Sequence, residues 1–276
     1  MKKSFCIVGF LVLAAQLPLW GYDTSPSIFQ VVPEAIWAAA TGGGTWITEL
    51  QITNMGPAAA WITIYFDTAA GHDVYPVSIG PISALKSVKY SNILATMDAL
   101  DPTSQVYYGK VGALLLGAEP NRIQVQAQTV NGNYGKTFPG LNPVAGTTAA
   151  ISRPMMVQGL VSNATYRTFI GIYNYGQPCT VRFTIFNAAN GTVGSSFERT
   201  LTVCGYSTFN PFVQAAAPAG DYDNCYLYIE VTAGGDLTWG PLILGSIANN
   251  FTNDTYALMA KQYGGSPTVT APPIRY

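Results

Sequence analysis

The sequence predicts an all-β protein in which two tandem antiparallel β-sandwich domains follow a signal peptide. The first observation is an internal repeat: residues 46–71 align without a gap to residues 166–191, and seven of the 26 positions are identical. Average residue usage would give about two identities by chance. A second, weaker sequence similarity relates residues 127–141 to residues 245–259. A doubled unit therefore accounts for most of the 276-residue chain.

Short strand-like runs are the second observation. Runs rich in Tyr, Thr, Val, Ile, Phe and Trp alternate with Gly, Pro, Asn and Asp, a pattern typical of a sandwich. We predict one domain at 28–143 and another at 150–263, with a linker at 141–150 and a flexible tail at 264–276. A helical turn or two is predicted at 91–100. The predicted strands are 46–53, 60–67, 74–79, 85–90, 108–116 and 122–130 in copy one, and 166–173, 179–187, 196–203, 206–210, 225–232 and 239–248 in copy two.

The N-terminus carries the third observation. Two lysines precede the apolar run 5–15, which is followed by small and turn-forming residues. This run is too short to span a bilayer and is typical of a secretory signal. We predict a signal peptide at 1–21, with Ala15 as the alternative cleavage position. The mature chain is therefore expected to be exported.

Charge excludes two classes of partner. Only 10% of residues are charged, the formal net charge is −1, and no basic cluster occurs. Nucleic-acid binding requires several Lys or Arg side chains to neutralise phosphates, and binding to an anionic membrane surface requires a polybasic patch. We expect neither.

The second repeated strand has an ambiguous phase. In copy two, Val181, Phe183 and Ile185 alternate with polar residues and are expected to face the core. In copy one, both phases of the matching strand at 61–66 carry large apolar or aromatic side chains. That strand is therefore either covered on both faces or exposes an aromatic row.

The cysteines of the predicted mature chain all lie in copy two. Export permits disulfides, and counting outward from the turn near Asn190 places Cys179 and Cys204 within reach of each other across a hairpin. We predict a Cys179–Cys204 disulfide, with Cys204–Cys225 as the second choice.

Catalytic and metal-binding patterns are absent from the sequence. His72 is the sole histidine, at a predicted hairpin turn, so catalysis by a Ser–His–Asp or Cys–His arrangement would have to use it. No set of His or Cys residues has the spacing of a zinc site, and the loop pairs Asp98/Asp101 and Asp221/Asp223 lack the ligand order of a calcium loop. We predict no enzymatic activity and no catalytic, cofactor-binding or metal-binding residues. Paired carboxylates are the least excluded chemistry, with Glu34, Glu49, Asp67, Glu119, Glu198 and Glu230 as the candidates.

Aromatic side chains are the remaining candidates for a binding site, because rings exposed on a sandwich face can stack on sugars or contact a partner. Core packing is the default role for most of them, because strands favour aromatic residues whatever the function. The candidate ligand-contact residues are Trp46, Trp61, Tyr65, Tyr173, Tyr175 and Trp239.

Four segments of the sequence resemble three motifs of a known repeat domain. Residues 31–33 read VVP and residues 44–56 read GTWITELQITNMG, similar to the family's "V-V-P … G-T-F-W-x-T-D-L-x-L-x-N-P-G". Residues 129–136 (TVNGNYGK) and 250–256 (NFTNDTY) are similar to its "T-Y-N … G-T-Y-G-Q" and "N-x-T-x-D-P-T-Y". The two copies resemble a repeat domain, often in tandem, of secreted bacterial proteins of uncharacterised role. The resemblance implies immunoglobulin-like sandwiches and no known catalytic residues, although residues 166–169 depart from the opening motif.

These observations favour an exported, non-catalytic structural or adhesive protein, located in the periplasm, on the cell surface or outside the cell. A cell-surface protein or a polysaccharide is the expected partner, and we expect no membrane-spanning segment in the mature chain. The first alternative is a carbohydrate-binding protein that uses a flat row of exposed aromatics. An outer-membrane β-barrel and a glycoside hydrolase with paired carboxylates in a cleft are the further alternatives.

Overall fold

The computed structural model describes residues 25–40, 43–71, 76–103, 106–132, 134–142, 154–235, 241–252 and 255–262. We call residues 25–142 the first half and residues 154–262 the second half. The predicted signal peptide and tail, together with His72 and Trp239, lie outside the described residues.

The first half is a sandwich of two antiparallel sheets. Its strands are β1 (Phe29–Ala39), β2 (Thr45–Asn54), β3 (Ala60–Thr68), β4 (Val77–Ile82), β5 (Ser87–Tyr90), β6 (Lys110–Gly117), β7 (Ile123–Asn131) and β8 (Tyr134–Pro139), and helix α1 (Ile93–Leu100) follows β5. One sheet has the order β4-β3-β6-β1 and the other has the order β5-β2-β7-β8. A short pairing between the end of β1 and the start of β2 links the two sheets.

The second half repeats this strand order. Its elements are β9 (Met155–Ser162), β10 (Tyr166–Asn174), β11 (Cys179–Phe186), β12 (Phe197–Leu201), β13 (Gly205–Phe209), α2 (Pro211–Gln214), β14 (Tyr222–Gly234), β15 (Pro241–Asn249), β16 (Thr255–Met259) and β17 (Lys261–Gln262). Its sheets have the orders β12-β11-β14-β9-β17 and β13-β10-β15-β16. Each strand of the first half thus has a counterpart eight strands later, and β17 is an addition. The predicted all-β, antiparallel fold class is confirmed.

A buried threonine performs the same task in both halves. The Thr48 hydroxyl on β2 accepts a hydrogen bond from the Ile36 N–H (2.8 Å) and donates one to the Ile36 carbonyl (3.3 Å) on β1. The Thr168 hydroxyl on β10 makes the same pair of bonds to Val161 on β9, at 2.9 and 2.7 Å. Each threonine therefore joins the two sheets of its half, which explains this identity in the repeat.

A buried asparagine ends the first repeated strand in both halves. The amide of Asn54 donates to the carbonyls of Ala58 (2.7 Å) and Ile82 (3.0 Å). The amide of Asn174 donates to the Gln177 carbonyl at 3.0 Å, in the turn after its strand, and to the Thr202 carbonyl at 2.9 Å. Because buried carbonyls need donors, each side chain fixes the turn that follows its strand.

The alignment of the two copies slips by one residue at the second repeated strand. The turn before this strand is one residue shorter in the second half, so Ala60 and Cys179 are the buried residues that begin it. Phe66 therefore corresponds to Ile185, and both belong to apolar cores. The ungapped match of Phe66 with Phe186 pairs residues that are not equivalent in the fold.

Each sandwich encloses an apolar core, and the first core includes one residue from the second half. Ile64, Phe66 and Leu114 belong to the first core, which also contains Leu244 from β15. In the described part of the chain no strand of one half pairs with a strand of the other. The halves are therefore joined by side-chain packing and not by a common sheet.

Helices contribute little to the fold. The predicted helical turn at 91–100 is α1, which Asn92 caps by accepting a hydrogen bond from the Ala95 N–H at 3.2 Å. None of the helices in the described ranges has the length and apolarity needed to cross a membrane.

Candidate functional site

The two halves meet at a buried apolar cluster, which we call the interface cluster. In β6, Leu114 and Leu116 face the first core, so Ala113 and Leu115 face outward, toward the second half. The outer face of the sheet β13-β10-β15-β16 covers them. The interface cluster consists of Val31, Ala113, Leu115, Leu141, Tyr173, Tyr206 and Leu242.

One hydrogen bond crosses this contact between fully buried side chains. Tyr173 Oη donates to Asp67 Oδ2 at 2.5 Å, and both residues are inaccessible to solvent. Burial raises the pKa of Tyr173 far above its usual value, and the Asp67 carboxylate raises it further. The phenol therefore keeps its proton and remains a donor. The sequence predicted Tyr173 as a candidate ligand contact and Asp67 as a candidate acid–base group. In the structure these two side chains bind each other.

A buried ion pair forms the second polar link between the halves. Lys136 Nζ on β8 lies 2.6 Å from Glu34 Oε1 on β1 and donates a 2.5 Å hydrogen bond to Ser246 Oγ on β15. The Lys136 side chain is 6% exposed and the Glu34 side chain is 13% exposed. A charge this deep is tolerated because a counter-charge and a hydroxyl both contact it.

A cleft of about 260 Å³ opens beside this ion pair. The first half contributes apolar and aromatic side chains there, including Trp46, as well as Thr129, Glu34 and Lys136. The second half contributes hydroxyl groups together with Arg167, Phe169, Tyr206, Ser246 and Thr255. The lining therefore combines aromatic rings with many hydroxyls, and it exists only because the halves are joined.

Three hydroxyl groups in the cleft lining are buried and form no hydrogen bond with any described residue. They are Thr129 Oγ1, Tyr206 Oη and Thr255 Oγ1. Buried polar groups are normally paired, so such a concentration in one place needs an explanation. Burial raises the pKa of Tyr206 well above its usual value, and the Glu34 carboxylate adds to the rise. The Thr208 hydroxyl opposes the rise, although it does not meet Tyr206 Oη with the geometry of a hydrogen bond. The Tyr206 hydroxyl is therefore neutral and can donate.

Arg167 is held in a defined position beside the same lining. Its guanidinium lies 5.5 Å from the centroid of the Phe169 ring, and Nη1 donates a 2.7 Å hydrogen bond to Asn250 Oδ1. Stacking on an aromatic face and a side-chain hydrogen bond together limit the freedom of an arginine.

The other candidate carboxylates with contacts in the described structure lie in ion pairs on the strands. Glu49 lies 2.7 Å from Lys89 across β2 and β5. Arg182 on β11 contacts Glu198 at 2.9 Å and Glu230 at 3.4 Å on the flanking strands. These carboxylates are cross-strand partners of cations and do not converge on the cleft.

Of the aspartates predicted to lie in loops, Asp101 organises a turn, whereas Asp98 lies in α1 and Asp223 lies in β14. Asp101 accepts hydrogen bonds from the N–H (2.7 Å) and hydroxyl (2.6 Å) of Thr103, and the hydroxyl is the main cause of its lowered pKa. Asp98 accepts from the Tyr107 N–H at 3.1 Å. Within the described ranges no group of three or more His, Cys, Asp or Glu residues is arranged to hold a metal ion.

The disulfide prediction is corrected by the structure. Cys179, Cys204 and Cys225 are all free thiols, so neither Cys179–Cys204 nor Cys204–Cys225 is formed. The register of β11 and β12 places Leu201 opposite Cys179, with Cys204 beyond the end of β12. Cys179 faces the second core, whereas Cys204 packs against the interface cluster. Burial raises the pKa of Cys179 and of Cys225 to about 11.

The candidate aromatics do not share one exposed surface. Tyr173 is buried, and Tyr65 and Tyr175 are half-buried against the interface cluster. Trp46 is half-buried and lines the cleft, whereas Trp61 is 60% exposed on the outer face of β3. The second half therefore covers the outer face of β3 at Asp67, whereas the same face is exposed to solvent at Trp61. The candidates that the structure describes therefore do not form the flat exposed row that would favour sugar binding on a sheet face.

Sequence reasoning missed Lys136, Ser246, Thr129, Tyr206 and Thr255. One of these carries a usable signal. Lys136 lies two residues before the buried Phe138, so a period-2 strand places a lysine on the inward face and requires a buried partner. The hydroxyls carry no such signal, because Thr, Ser and Tyr are common on strands whatever they contact.

No family model matches the chain, and no curated protein matches it. Among solved structures, a lectin from Pleurotus ostreatus in complex with GalNAc is 12% identical, with a TM-score of 0.25, over 93% of this chain and 89% of the lectin. A similarity with so low a TM-score carries no inference about fold or function.

Proposed function

We propose that this chain is an exported structural or adhesive protein of the cell envelope or the extracellular space. In this proposal it consists of two tandem immunoglobulin-like sandwiches and catalyses no reaction. The leader-like N-terminus, the low content of charged residues and the resemblance to a secreted repeat domain support it. The partner it would contact is a cell-surface protein or a polysaccharide.

The observation that carries the proposal is the way in which the halves are joined. Domains linked in one chain normally move relative to each other unless their contact is large and apolar. Here an apolar cluster is combined with the Asp67–Tyr173 hydrogen bond and the contact of Lys136 with Ser246. A stiff two-sandwich unit holds its outer surfaces at a fixed distance, which suits a protein that spaces or attaches other components.

The engagement of the carboxylates supports a role without catalysis. A general acid or base has to reach a substrate in a cleft. Asp67 is fully buried against Tyr173, while Glu198 and Glu230 contact Arg182 on a sheet. Glu34, which does line the cleft, is the counter-ion of Lys136. Each of these groups has a structural partner.

Fractionation of cells that produce the complete chain tests the location. We expect the protein in the periplasm, the envelope or the medium, with a mature N-terminus that follows Gly21 or Ala15 by mass spectrometry. A variant that lacks residues 1–21 is the control and is expected to stay in the cytoplasm. Recovery of the chain from the cytoplasm with Met1 intact would contradict export.

Purified mature protein tests the role. Beads coated with it are expected to bind cells or isolated envelope polysaccharide more strongly than beads coated with heat-unfolded protein. Equal binding by both would contradict an adhesive role. Release of reducing sugar ends from a polysaccharide by the purified protein would contradict the absence of catalysis.

A further inference from the structure

We propose that the cleft between the halves binds a single sugar ring, either free or at the end of a glycan. This inference goes beyond the proposed function, which requires the halves to be joined but requires no ligand between them. It rests on three properties of the cleft: its size and position, its unpartnered hydroxyls and its aromatic walls.

The size and position of the cleft suit a small ligand. Binding sites are often found where two domains meet, and sites for drug-sized ligands have volumes of roughly 300–1,000 Å³. The cleft, at about 260 Å³, lies just below that range, so one ring fits it better than an extended chain. Both halves line it, and the Glu34–Lys136–Ser246 contact fixes one side.

The hydroxyl groups indicate the chemistry of the ligand. Thr129, Tyr206 and Thr255 each have a buried hydroxyl with no hydrogen bond to the described protein, and all three residues line the cleft. A hydroxyl has one donor and two acceptor sites, so a partner that also carries hydroxyls can satisfy it in either direction. A sugar presents several such groups around one ring. An apolar ligand would leave all three protein hydroxyls unpaired.

The aromatic side chains supply the complementary surface. Trp46 from the first half and Phe169 from the second both line the cleft. Aromatic rings offer a flat apolar surface, which matches the C–H face of a sugar ring. Arg167, stacked on Phe169 and hydrogen-bonded to Asn250, adds a positioned donor for ring or substituent oxygens.

The buried ion pair completes the set of polar groups. The Glu34 carboxylate accepts hydrogen bonds, and the Lys136 ammonium has three donor sites. Because the two charges neutralise each other at 2.6 Å, the pair can contact a neutral ring without demanding a charged ligand. A neutral or N-acetylated hexose is therefore the expected ligand.

Saturation-transfer-difference NMR with the complete mature chain tests this inference. The probes are the methyl glycosides of neutral hexoses, N-acetylhexosamines and uronic acids, each at up to ~10 mM, a range that detects weak affinities. We expect transfer to at least one neutral or N-acetylated ring. Addition of short oligosaccharides that end in that ring distinguishes the sources, because competition indicates a glycan terminus and its absence indicates the free sugar.

Near-isosteric variants locate the site. Thr129→Val, Tyr206→Phe and Thr255→Val remove hydroxyls that have no hydrogen-bond partner among the described residues. We therefore expect folding to be preserved, which circular dichroism verifies. Each is expected to weaken binding of the sugar about tenfold, the effect of one lost hydrogen bond of ordinary strength. Thr180→Val, on β11 outside the cleft, is the matched control and is expected to bind as the wild type does.

Two results would overturn the inference. One is the absence of transfer to every ring in the panel. The other is binding that the three cleft variants leave unchanged, since the sugar would then lie elsewhere on the protein. Neither result bears on export or on the rigid joining of the halves, so a failure here is distinguishable from a failure of the proposed function.

Discussion

The Tyr173 hydroxyl offers the sharpest test of how the two halves are held together. Tyr173→Phe removes the 2.5 Å hydrogen bond to Asp67 and leaves a fully buried carboxylate without that donor. A hydrogen bond to a charged group contributes about 1.5–3 kcal/mol, and a buried charge that loses a partner costs more. We therefore expect the free energy of unfolding to fall by about 2–4 kcal/mol.

Tyr206→Phe is the matched control for this prediction. Tyr206 belongs to the same interface cluster, is equally buried and loses the same atom, but its hydroxyl has no hydrogen-bond partner in the described structure. Removing an unpaired buried hydroxyl is neutral or stabilising, so we expect a change within about 0.5 kcal/mol of zero, or a gain.

Urea unfolding followed by far-ultraviolet circular dichroism measures both variants. An Asp67→Asn variant and the double variant complete a cycle, in which the coupling of Asp67 with Tyr173 is expected to exceed about 1 kcal/mol. The reasoning is refuted if the two Tyr→Phe variants lose equal stability, or if Asp67 and Tyr173 show no coupling.

Three further predictions follow from packing and burial. Leu244→Ala is expected to cost about 2–5 kcal/mol and to speed hydrogen exchange in the first half, because Leu244 is a buried member of the first core; exchange changed only in the second half would contradict this. Asn54→Ala and Asn174→Ala are expected to lower the urea midpoint by similar amounts, equivalent to about 1–3 kcal/mol each, and a neutral effect of either would disprove their equivalent roles. Cys179 and Cys225 are expected to resist iodoacetamide at pH 8 in the native protein and to react after unfolding, as counted by mass spectrometry. Because burial raises their pKa from 9.0 to about 11, native thiols stay protonated where unfolded ones ionise, so stability should fall as pH rises from 9 to 11; a flat pH dependence there would contradict this.

The strands that the sequence pattern identified are those with strong β-forming runs. All twelve predicted strands are found in β2–β7 and β10–β15. The pattern missed β1, which contains Pro33, and it missed β9. It also missed β8, β16 and β17, which are short and hold edge positions. Edge strands pair on one side only and bury less apolar surface, so their sequences are under weaker constraint.

It was harder to predict which side chains of a strand face the core and which residues lie opposite each other on neighbouring strands. Both change when a turn gains or loses a single residue. The single-residue difference before β11 shifts that strand relative to the ungapped alignment. The same kind of local detail places Leu201 opposite Cys179 and defeats the disulfide prediction. A one-residue slip turns every side chain of a strand to the opposite face, and composition does not reveal it.

The candidate site lay beyond sequence reasoning for a different reason. Lys136, Ser246 and Arg167 come from three separate strands, and they are brought together by the contact of one sandwich with another. Repeats and alternation describe each sandwich, but they do not describe which outer faces meet. Tyr173 illustrates this, since its alternation marks it as outward-facing and the second sandwich nevertheless buries it.

The central claim is that the second sandwich supports the first through Leu244 and the interface cluster. Hydrogen-exchange mass spectrometry of the complete chain across a urea series tests it directly, with peptides from β3 and β11 reporting on the two halves. The account predicts that β3 loses protection at or below the urea concentration at which β11 loses it. Full protection of β3 at concentrations where β11 has already exchanged would contradict it.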